Sequence, residues 1–551
     1  MQIYADKLFK NPIKIIEAFN NEDFLEAFKK IECYRGTHYL TGYIRYEAKD
    51  IFLNKKIVSK LPLLYFEVFE KYENFIPQKA EQEIFLSIKP CISAKKYKEN
   101  ILKIKDYIAN GETYQVNYTY DCNVGYQGDS KVLYNYLLTK QKTPYNAFFQ
   151  NKYEKILSFS PELFFTLKNN IITTKPMKGT VKRGENKHQD KKNIEFLRSD
   201  IKNRAENIMI VDLLRNDLGK IAKTGTVNVT KLFEIETHPS VHQMTSEIEA
   251  ELDEKTTLFE IFNAIFPCGS ITGAPKINTM KIIEELENNK REVYCGAIGF
   301  ISPEETVFSV PIRILQKQNN KKYYKYYVGG AIVWDSTIKD EWEETLIKTK
   351  FLSSNTDFEL VETIKVANKK LVYKHLHFKR LKNSAKQLDF RFNPQILNIK
   401  PEKDGILRIL LNKNGGYKTE YLPLNEIKSD KIALSSKSIQ SSNPFLKHKT
   451  THRPWYKTSY EKIKNDLIYD EIFFNEKGEI TEGTRTNIII KKNGKMFTPP
   501  IKSGVLRGIM RQKLIDEGKL KEKTISIKEL QNADEIYCIS SVRGIKKVTL
   551  K

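Results

Sequence analysis

Lys178 has a clear chemical use, because a lysine amine with a lowered pKa is a nucleophile. It stands beside Gly179 in a polar stretch that follows short apolar runs, two of which are joined by Asn169-Asn170. An asparagine pair between apolar runs is typical of a tight turn, so the sequence predicts a hairpin that presents Lys178 on a loop over residues 175–184. A glycine there lets a ligand approach the backbone closely. A single loop lysine is more often a solvated side chain, so this interpretation depends on residues elsewhere.

Carboxylates in two predicted helices could bind a metal ion. Glu206 lies near the start of one helical stripe. The apolar positions of that stripe are Ile208, Val211, Leu214 and Leu218. Glu341 and Glu344 share one face of a second predicted helix. Because magnesium prefers hard carboxylate oxygens, Glu206 and Glu344 are predicted to share Mg²⁺, with Glu341 as a further candidate. The alternative is that Glu206 only stabilises its helix N-terminus, where negative charge is favoured in any helix.

Three further sites could hold an anion. Thr272-Gly273 lies in a glycine-rich stretch that enters a predicted helix, so free backbone N–H groups are expected there. Arg313, in a β-like run, could pair with a carboxylate through two hydrogen bonds. Gly329-Gly330, after another strand-like run, opens space for a ligand. Each feature alone is equally typical of a plain loop or a surface arginine, and only their combination suggests a site for an acidic molecule.

Five ordered motifs carry a family resemblance over about positions 90 to 350. They are Ser160-Pro-Glu162, Lys178-Gly-Thr180, Ala205-Glu-Asn207 with Arg215-Asn-Asp217, Gly269-Ser-x-Thr-Gly-Ala-Pro-Lys276 and Glu341-Trp-Glu-Glu-Thr345. Together they resemble the chorismate-utilising enzymes, which include anthranilate synthase component I, isochorismate and salicylate synthases, and aminodeoxychorismate synthase component I. The resemblance implies an α+β domain with two large antiparallel sheets and chorismate as the substrate.

The resemblance also assigns roles to side chains. It implies that Glu206 and Glu344 hold a magnesium ion, which grips a carboxylate of chorismate, and that Glu162 is a general acid. The positions that match the family's substrate-binding or active-site residues are His242, Thr272, Gly273, Tyr294, Arg313, Gly329, Gly330 and Lys348.

Lys178 distinguishes branches of this family. The anthranilate, isochorismate and salicylate enzymes usually have alanine at this position, whereas the aminodeoxychorismate synthases have lysine. The resemblance therefore implies covalent catalysis, in which the lysine attacks C2 of chorismate and ammonia later expels it. We expect the nearby cations Lys175, Lys182 and Arg183 to lower the pKa of Lys178. No glutamine amidotransferase domain is recognised in the sequence, so a separate subunit or free ammonium is expected to supply the ammonia.

A second group of motifs begins near residue 358. Arg380 lies in a helical pattern, two predicted hairpins follow, and residues 503–511 form a loop that enters a helix. Together these features resemble the fold-type IV pyridoxal-phosphate enzymes, which include branched-chain and D-amino acid aminotransferases and aminodeoxychorismate lyase. The resemblance covers about residues 358–551 and implies a two-lobed domain. A dimer through this domain is an option that it leaves open.

This second resemblance implies a cofactor site. Lys449 corresponds to the lysine that binds pyridoxal phosphate covalently, although Lys447 and Lys457 are close enough in sequence to be alternatives. Glu482 corresponds to the glutamate that keeps the pyridine nitrogen protonated, which makes the ring an electron sink. The positions that match the phosphate-binding residues are Arg380, Leu506, Gly508, Ile509 and Ser541.

The two resemblances imply one route. The first half would convert chorismate into 4-amino-4-deoxychorismate, and the second would eliminate pyruvate to give 4-aminobenzoate, a folate precursor. The alternative keeps both folds and joins anthranilate synthesis to an amino-acid aminotransferase. Lys178 counts against the first part of that alternative.

These groups need elements to position them. A helical pattern from Lys96 ends at Asn110-Gly111, and the next stretch enters a predicted strand. The length of 551 residues predicts two to four domains. A polar stretch, residues 353–357, reads as a linker. We therefore expect a chorismate-binding domain over residues 1–352 and a pyridoxal-phosphate domain over residues 358–551.

The composition is that of a globular protein, with 40% hydrophobic and 29% charged residues. The formal net charge of +24 invites a nucleic-acid-binding role, and a basic scaffold with decayed active sites is a third alternative. The lysines are dispersed, however, and no nucleic-acid-binding motif accompanies them. The near-complete set of motif residues also weighs against decay, so no nucleic-acid partner is expected.

The cysteines and the chain's hydropathy indicate a location. Six cysteines without CxxC spacing suit a reducing compartment. Residues 1–10 carry charge without an apolar core, and no apolar run reaches about 18 residues. Neither a secretory signal nor a membrane span is therefore expected, and the protein is predicted to be cytoplasmic.

Overall fold

The computed structural model describes residues 1–78, 84, 86–126, 128–141, 143–238, 241–352, 358–388, 390–441 and 443–551. The chain divides into two compact units, Met1–Ser354 and Asn355–Lys551. The predicted linker, residues 353–357, lies outside the described residues. Each unit has its own sheets and its own hydrophobic clusters.

The described part of the first unit contains both helices and strands. Its helices are α1 (Asn21–Tyr34), α2 (Lys49–Phe52), α3 (Ala94–Ala109), α4 (Ser130–Lys140), α5 (Lys187–Ser199), α6 (Ile201–Gly219), α7 (Leu258–Ile265), α8 (Lys276–Leu286) and α9 (Ile338–Thr349). Its strands are β1 (Gln2–Tyr4), β2 (Lys7–Phe9), β3 (Lys14–Ala18), β4 (Tyr39–Ile44), β5 (Leu64–Phe69), β6 (Glu73–Asn74), β7 (Ser87–Pro90), β8 (Gln115–Gly125), β9 (Tyr145–Gln150), β10 (Glu154–Ser160), β11 (Leu163–Lys168), β12 (Ile171–Lys175), β13 (Met177–Lys182), β14 (Asn228–Thr237), β15 (Val241–Glu251), β16 (Gly273–Ala274), β17 (Ala297–Ile301), β18 (Thr306–Ser309), β19 (Ile314–Gln318) and β20 (Tyr324–Ile332).

Within the described residues these strands form two ten-stranded antiparallel sheets, which confirms the predicted pair of large sheets. The first sheet has the order β16-β8-β20-β19-β10-β9-β1-β2-β6, with β7 on β8. The second has the order β13-β15-β12-β11-β18-β17-β4-β5-β3, with β14 on β15. Side chains from both sheets, such as Phe149 and Phe300, share one buried hydrophobic cluster. A second cluster packs helices such as α3 and α4 against the first sheet.

The predicted hairpin at Asn169-Asn170 is confirmed. Strands β11 and β12 pair antiparallel on either side of it. Both asparagines have positive φ, 52° and 62°. A two-residue type I′ turn needs two such left-handed residues, and asparagine adopts this conformation more readily than most side chains.

The predicted loop around Lys178 is wrong, because Lys178 lies within β13. Lys178 and Gly179 stand where the paired strand β15 has only Met244, so the pair forms a β-bulge. Gly179 has φ +80°, which glycine adopts without strain. A Cβ atom at Gly179 would lie 2.9 Å from a methyl group of Leu197 on α5. The glycine therefore serves the bulge and the packing of α5.

Helix α6 carries Glu206 and starts at an N-cap residue, Asp200, whose carboxylate accepts a hydrogen bond of 2.9 Å from the N–H of Asn203. The buried residues of this helix are Asn207, Ile210, Val211, Leu214, Asp217 and Leu218. Ile208 is 44% exposed, so the predicted stripe is wrong at that position. Glu206 itself is half-buried, at the edge of the buried face.

The second unit has two sheets within its described residues. Its helices are α10 (Lys374–Gln387), α11 (Lys457–Lys464), α12 (Ile509–Asp516) and α13 (Ile527–Gln531). Its strands are β21 (Leu360–Ala367), β22 (Lys370–Leu371), β23 (Gly405–Leu411), β24 (Tyr417–Leu422), β25 (Lys431–Leu434), β26 (Asp470–Phe474), β27 (Ile480–Gly483), β28 (Asn487–Lys492), β29 (Lys495–Thr498), β30 (Lys521–Glu522), β31 (Glu535–Ser540) and β32 (Gly544–Leu550). The four-stranded sheet is antiparallel, with the order β22-β21-β23-β24. The eight-stranded sheet is mixed, with the order β27-β26-β25-β32-β31-β28-β29-β30.

Both predicted hairpins of the second unit are confirmed, as β26–β27 and β28–β29. The second turns at Asn493 and Gly494, which have φ of 50° and 75°. The helical pattern around Arg380 is α10, and the stretch 503–511 does enter a helix, α12. No helix within the described residues combines the length and the apolar character that a membrane crossing requires.

Candidate active sites

Glu162 is a buried carboxyl group directly after β10, with a side chain that is 4% exposed. Its Oε1 accepts a hydrogen bond of 2.5 Å from the hydroxyl of Ser270. Burial raises the pKa of Glu162, although the Ser270 hydrogen bond and the positive charges of Lys178 and Arg313 act in the opposite direction. A raised pKa increases the fraction of the carboxyl group that carries a proton, which suits a general acid.

Lys178 is half-buried, and burial is the largest cause that lowers its pKa. The carboxylates of Glu206, Glu162 and Glu344 oppose this shift, whereas the positive charge of Lys348 adds to it. The groups that interact with Lys178 come from α6, from α9 and from the connection between β10 and β11. The lowered pKa increases the fraction of neutral, nucleophilic amine.

The cations that were expected to lower the pKa of Lys178 are not among the main causes of its shift. Lys175 forms an ion pair with Glu236, and Arg183 forms one with Asp190 at 2.6 Å. Lys182 is likewise absent from the charges that shift Lys178. The cation that does act is Lys348, which is 170 residues away in sequence and is brought close by the fold.

Arg313 lies between β18 and β19 and not within a strand, so its predicted position is wrong. Its φ is +54°, a left-handed conformation that a non-glycine residue rarely adopts outside functional sites and turns. Within the described part of the chain its guanidinium group makes no ion pair or side-chain hydrogen bond. Burial lowers its pKa, and the nearby acid Glu162 raises it. A half-buried guanidinium without a protein partner can accept a carboxylate of a ligand.

Gly329 and Gly330 lie inside β20, and not after it as the sequence suggested. A Cβ atom at Gly330 would lie 2.9 Å from Oε2 of Glu341 and 3.8 Å from Oε1 of Glu344. The absence of a side chain at Gly330 therefore leaves room beside these two carboxylates. Nζ of Lys348 donates a hydrogen bond of 2.6 Å to the carbonyl oxygen of Gly329. The structure thus brings the two glycines, both glutamates and the lysine together.

The three predicted metal ligands differ in environment. Glu341 is 9% exposed, and its Oε1 accepts a hydrogen bond of 2.7 Å from Ser336. Burial and the charge of Glu344 raise the pKa of Glu341. Glu206 stands on α6 and shares with Glu344 an electrostatic interaction with Lys178. Among the residues that the structure describes, no three acidic, histidine or cysteine side chains converge into one metal-binding group. The donors therefore suit a hard cation chemically, but they do not yet form one coordination shell.

Thr272 and Gly273 do not provide a pair of free N–H groups. The N–H of Thr272 donates to the carbonyl oxygen of Gly269 at 3.2 Å, so the expected free N–H at Thr272 is wrong. Gly273 has φ +146° and pairs with β8. A Cβ atom there would lie 1.9 Å from the carbonyl oxygen of Gln115, so only glycine fits. This contact fixes the Gly269–Lys276 stretch against the first sheet.

Tyr294 and His242 are buried, each against its own partners. The ring of Tyr294 stacks on that of Tyr327, with centroids 4.7 Å apart. Nε2 of His242 lies 2.8 Å from Oδ1 of Asp190, and its Nδ1 lies 2.9 Å from the hydroxyl of Thr237. Both ring nitrogens of His242 therefore have protein partners, and neither contact reaches Lys178 or Glu162. The role of His242 at the substrate stays a prediction.

In the first unit, Ser270 is a site residue that the sequence did not single out. It lies inside the glycine-rich motif, three residues before Gly273, and it is 6% exposed. A serine in such a motif is also typical of a turn, so its type gave no separate signal. Its partnership with Glu162 spans 108 residues of sequence and follows only from the fold.

In the second unit, Lys449 is half-buried while Lys447 and Lys457 are exposed. Burial is the largest cause that lowers the pKa of Lys449, to about 7, and the charges of Arg380 and Arg453 add to the shift. At neutral pH a large part of this amine is therefore unprotonated. A neutral, sheltered amine suits covalent attachment to an aldehyde, and the two exposed lysines lack this environment.

Glu482 is 2% exposed, and burial raises its pKa. Its Oε2 accepts a hydrogen bond of 2.8 Å from the N–H of Leu506, and its Oε1 lies 3.6 Å from the guanidinium group of Arg453. Tyr456 also donates to Oε1, at 3.2 Å. Arg453, which the sequence did not single out, therefore links the glutamate to the lysine, since its charge acts on both.

Several of the predicted phosphate-binding groups already form hydrogen bonds to other groups of the protein. Arg380 makes two hydrogen bonds, of 2.8 and 2.7 Å, to the carboxylate of Glu362. The N–H of Leu506 donates to Glu482, and that of Gly508 donates to the carbonyl oxygen of Leu506. Neither N–H is therefore free for a phosphate.

The groups left for a phosphate lie at the start of α12 and nearby. Ile509 is the first residue of α12, where N–H groups have no partner within the helix. Ser541 is half-buried in the turn between β31 and β32. The sheltered amine of Lys449, the buried acid Glu482 and this helix start provide an amine, an acid and an anion-binding end, so the residues fit pyridoxal phosphate.

Two family models match the chain. Residues 67–354, just over half of its length, match the family described as chorismate binding enzyme. Residues 359–550 match the family described as amino-transferase class IV. The first unit therefore has a fold like that of the chorismate-binding enzymes, and the second has a fold like that of the class IV aminotransferases.

Curated relatives resemble the first unit. Aminodeoxychorismate synthase component 1 of Escherichia coli (strain K12) is 39% identical over 258 residues, which cover 47% of this chain and 56% of that protein. Anthranilate synthase component 1 of Aquifex aeolicus is 34% identical over 284 residues, which cover 51% of this chain and 57% of that protein. The chain thus spans little more than half the length of these relatives.

A solved structure agrees in fold. Anthranilate synthase component I from Streptococcus pneumoniae has a TM-score of 0.54 and 27% sequence identity, and the match covers 64% of this chain and 92% of that chain. The similarity extends over nearly all of that protein, so the sheets described above are those of a known fold.

Proposed function

Since this chain belongs to the family of chorismate-binding enzymes, we propose that its first unit converts chorismate into 4-amino-4-deoxychorismate and that its second unit releases pyruvate from this product, which leaves 4-aminobenzoate. The observation that carries the proposal is the pairing of Lys178, whose pKa is lowered, with Glu162, whose pKa is raised. The similarity to aminodeoxychorismate synthase component 1 of Escherichia coli supports the same reaction.

In the proposed first step, the neutral amine of Lys178 attacks C2 of chorismate. The ring double bonds shift as the C2–N bond forms, and the C4–O bond breaks. The departing oxygen keeps the bonding electron pair and takes a proton from Glu162, so that water leaves and Glu162 becomes a carboxylate. Glu162 interacts electrostatically with Lys178, which supports the assignment of both roles to one site.

In the second half of this step, ammonia attacks C4 from solution or from a partner. The double bonds shift back, the C2–N bond breaks, and Lys178 recovers its electron pair as a free amine. The new ammonium group at C4 returns one proton to the carboxylate of Glu162, so the ring carries an amino group at C4 in place of the hydroxyl group and the acid is restored. The ammonia is proposed to come from a separate glutamine amidotransferase subunit or from free ammonium, which agrees with the designation "component 1" of the Escherichia coli relative.

The carboxylates of chorismate need positive partners. The guanidinium group of Arg313 has no ion-pair partner among the described residues, and Lys348 lies beside Gly329. Glu206, Glu341 and Glu344 would hold Mg²⁺, which would neutralise a substrate carboxylate when bound. Gly330 leaves room beside Glu341 and Glu344 for such a group.

In the second unit, pyridoxal phosphate would act as an electron sink when bound. Lys449 would attach to it, and the free amine of Lys449 would then move a proton between substrate carbons, a task that suits a pKa of about 7. Glu482, held by Arg453 and the N–H of Leu506, would keep a proton on the pyridine nitrogen. Ile509 at the start of α12 would face the phosphate.

A second candidate function joins anthranilate synthesis to an amino-acid aminotransferase. The similarity to anthranilate synthase component 1 of Aquifex aeolicus favours it. Lys178 opposes it, because the anthranilate branch usually has alanine at this position.

One experiment distinguishes the two functions. Purified protein is incubated with chorismate, ammonium, Mg²⁺ and pyridoxal phosphate, and the aromatic products are separated by chromatography. The proposal expects 4-aminobenzoate and pyruvate in equal amounts. Anthranilate as the main product would support the second candidate, and no ammonium-dependent product would refute both.

A further inference from the structure

Among the described residues, Ser270 is the only one whose side chain forms a hydrogen bond to the carboxyl group of Glu162. The O–O distance is 2.5 Å, and both side chains are at least nine-tenths buried. A short hydrogen bond out of contact with water holds the geometry of its partners more firmly than a solvated one. The orientation of the Glu162 carboxyl group therefore depends on Ser270.

Cys268 is a second partner of the Ser270 hydroxyl group, and it can donate to it. Its sulfur lies 3.2 Å from the hydroxyl oxygen of Ser270, and it is 3% exposed. Burial raises the pKa of Cys268 to about 12, so the thiol keeps its proton and can donate it to Ser270. The single hydroxyl proton of Ser270 is then directed to Oε1 of Glu162. The three groups form a chain of donors that ends at that oxygen.

The backbone of Glu162 is held separately. Its N–H donates to the hydroxyl oxygen of Ser160 at 3.1 Å, and Ser160 donates to the carbonyl oxygen of Val310 at 2.5 Å. Ser160 thus fixes the position of the Glu162 backbone, whereas Ser270 fixes the orientation of its carboxyl group. Within the described residues the other oxygen, Oε2, has no hydrogen-bond donor, so it is the oxygen that a ligand can contact.

We infer that Ser270 is a positioning residue for the general acid: it occupies Oε1 of Glu162 and thereby leaves Oε2 as the oxygen that carries the transferable proton toward the substrate. A protonated carboxyl group has one O–H and one C=O oxygen, and a donor bound to one oxygen makes that oxygen the C=O. The inference rests on the proposed function in one respect, namely that Glu162 gives its proton to the departing hydroxyl group.

The test uses the full-length protein with Ser270→Ala. This variant removes the hydrogen bond that favours the charged form of Glu162, so the carboxyl group should hold its proton to higher pH, by about one pH unit. The kcat for chorismate amination should fall by about tenfold or more, because the acid is no longer oriented, while KM stays within about twofold. The basic limb of the kcat–pH profile should move to higher pH, because the pKa of the Glu162 carboxyl group rises.

The C=O stretch of protonated Glu162 gives a readout that does not need activity. It is isolated by subtracting the infrared spectrum of Glu162→Gln, and it should move to higher frequency in Ser270→Ala, because the C=O oxygen has lost its donor. Ser270→Thr keeps a hydroxyl group and should restore both the frequency and the pH limb. Ser302→Ala, which removes a buried turn serine bonded to Glu305, is the matched control and should change neither.

The outcomes are separable. An unchanged C=O stretch and an unchanged pH limb in Ser270→Ala would overturn the inference, whatever the activity. If the wild type forms no aminodeoxychorismate, the proposed function fails, and the infrared titration still decides whether Ser270 binds Oε1. If Ser270→Ala does not fold, Ser270→Cys, with its weaker donor, replaces it and should give a smaller shift in the same direction.

Discussion

Lys348 and Glu344, one turn apart on α9, form an ion pair with 2.6 Å between Nζ and Oε1. The same amine donates to the carbonyl oxygen of Gly329, so the proposed metal ligand is joined to a proposed substrate-binding residue. A magnesium ion at Glu344 would have to compete with this lysine for the carboxylate. The pair is therefore a barrier to metal binding in the protein alone.

Lys348→Met should bind Mg²⁺ more tightly than the wild type. The lysine is 44% exposed, and an exposed ion pair is worth at most about 1 kcal/mol, so a gain of only a few-fold is expected. Glu344→Gln and Glu206→Gln should each weaken binding and raise the Mg²⁺ requirement of the synthase reaction steeply, because each removes an anionic ligand. Isothermal titration calorimetry measures the Mg²⁺ affinity of all three variants. Glu343→Gln, an exposed neighbour on α9, is the control, and full synthase activity in excess EDTA would contradict the assignment.

Lys178→Ala should abolish the formation of aminodeoxychorismate, because the nucleophile is gone. Folding should be nearly unchanged, since the half-buried side chain contributes little to the hydrophobic core. Product analysis after incubation with chorismate and ammonium measures the effect, and thermal unfolding checks the fold. Lys175→Ala, a lysine of β12 that is paired with Glu236, should retain activity. Undiminished 4-aminobenzoate from Lys178→Ala would refute the covalent route.

Wild-type protein incubated with pyridoxal phosphate should show a visible absorption band that borohydride removes, because Lys449 links covalently to the cofactor. Peptide mapping should find the reduced adduct on Lys449. Lys449→Ala should lose the band but still consume chorismate and accumulate aminodeoxychorismate, since Lys178 belongs to the other unit. Lys447→Ala and Lys457→Ala should keep the band. An adduct mapped to either of these exposed lysines would move the assignment.

The reactivity of Lys449 should depend on pH with a midpoint near 7. Its pKa is lowered to about 7, so the amine is largely protonated and unreactive below this pH and neutral above it. An ordinary lysine has a pKa of about 10.4, so the exposed Lys447 should react appreciably only at much higher pH. The measurement is the acylation rate of each lysine against pH, read by mass spectrometry on protein free of cofactor. A midpoint for Lys449 above about 9 would show that burial does not control this amine.

The features that the sequence predicted correctly depend on neighbours in the chain. The turn at Asn169-Asn170 was predictable because two left-handed residues in a row restrict the residue types at those two positions. The two hairpins around β26 and β28 carried the same kind of local signal. Family motifs supplied the residue types of both sites, since these are short stretches with fixed spacing.

The features that were missed depend on distant partners. Lys175 and Arg183 were close to Lys178 in sequence, but each is neutralised by its own carboxylate, and Lys348 from α9 acts instead. Arg313 has a left-handed backbone conformation in the connection between two strands. The residue type at that position does not predict this conformation. Ser270 meets Glu162 only because the two sheets and their connections bring both stretches together.

Because of the bulge in β13, the direction in which the Lys178 side chain points depends on the number of residues in that strand. Lys178 faces its acidic and basic neighbours because β13 has one residue more than β15 over this interval. Deleting Gly179 would restore regular alternation and turn every side chain on one side of the deletion to the opposite face of the sheet. Such a chain would keep each charged group of the site and still lose the meeting of lysine and acid. Insertions and deletions, which surface loops tolerate, are therefore expected to be excluded from this strand more strictly than substitutions of its individual side chains.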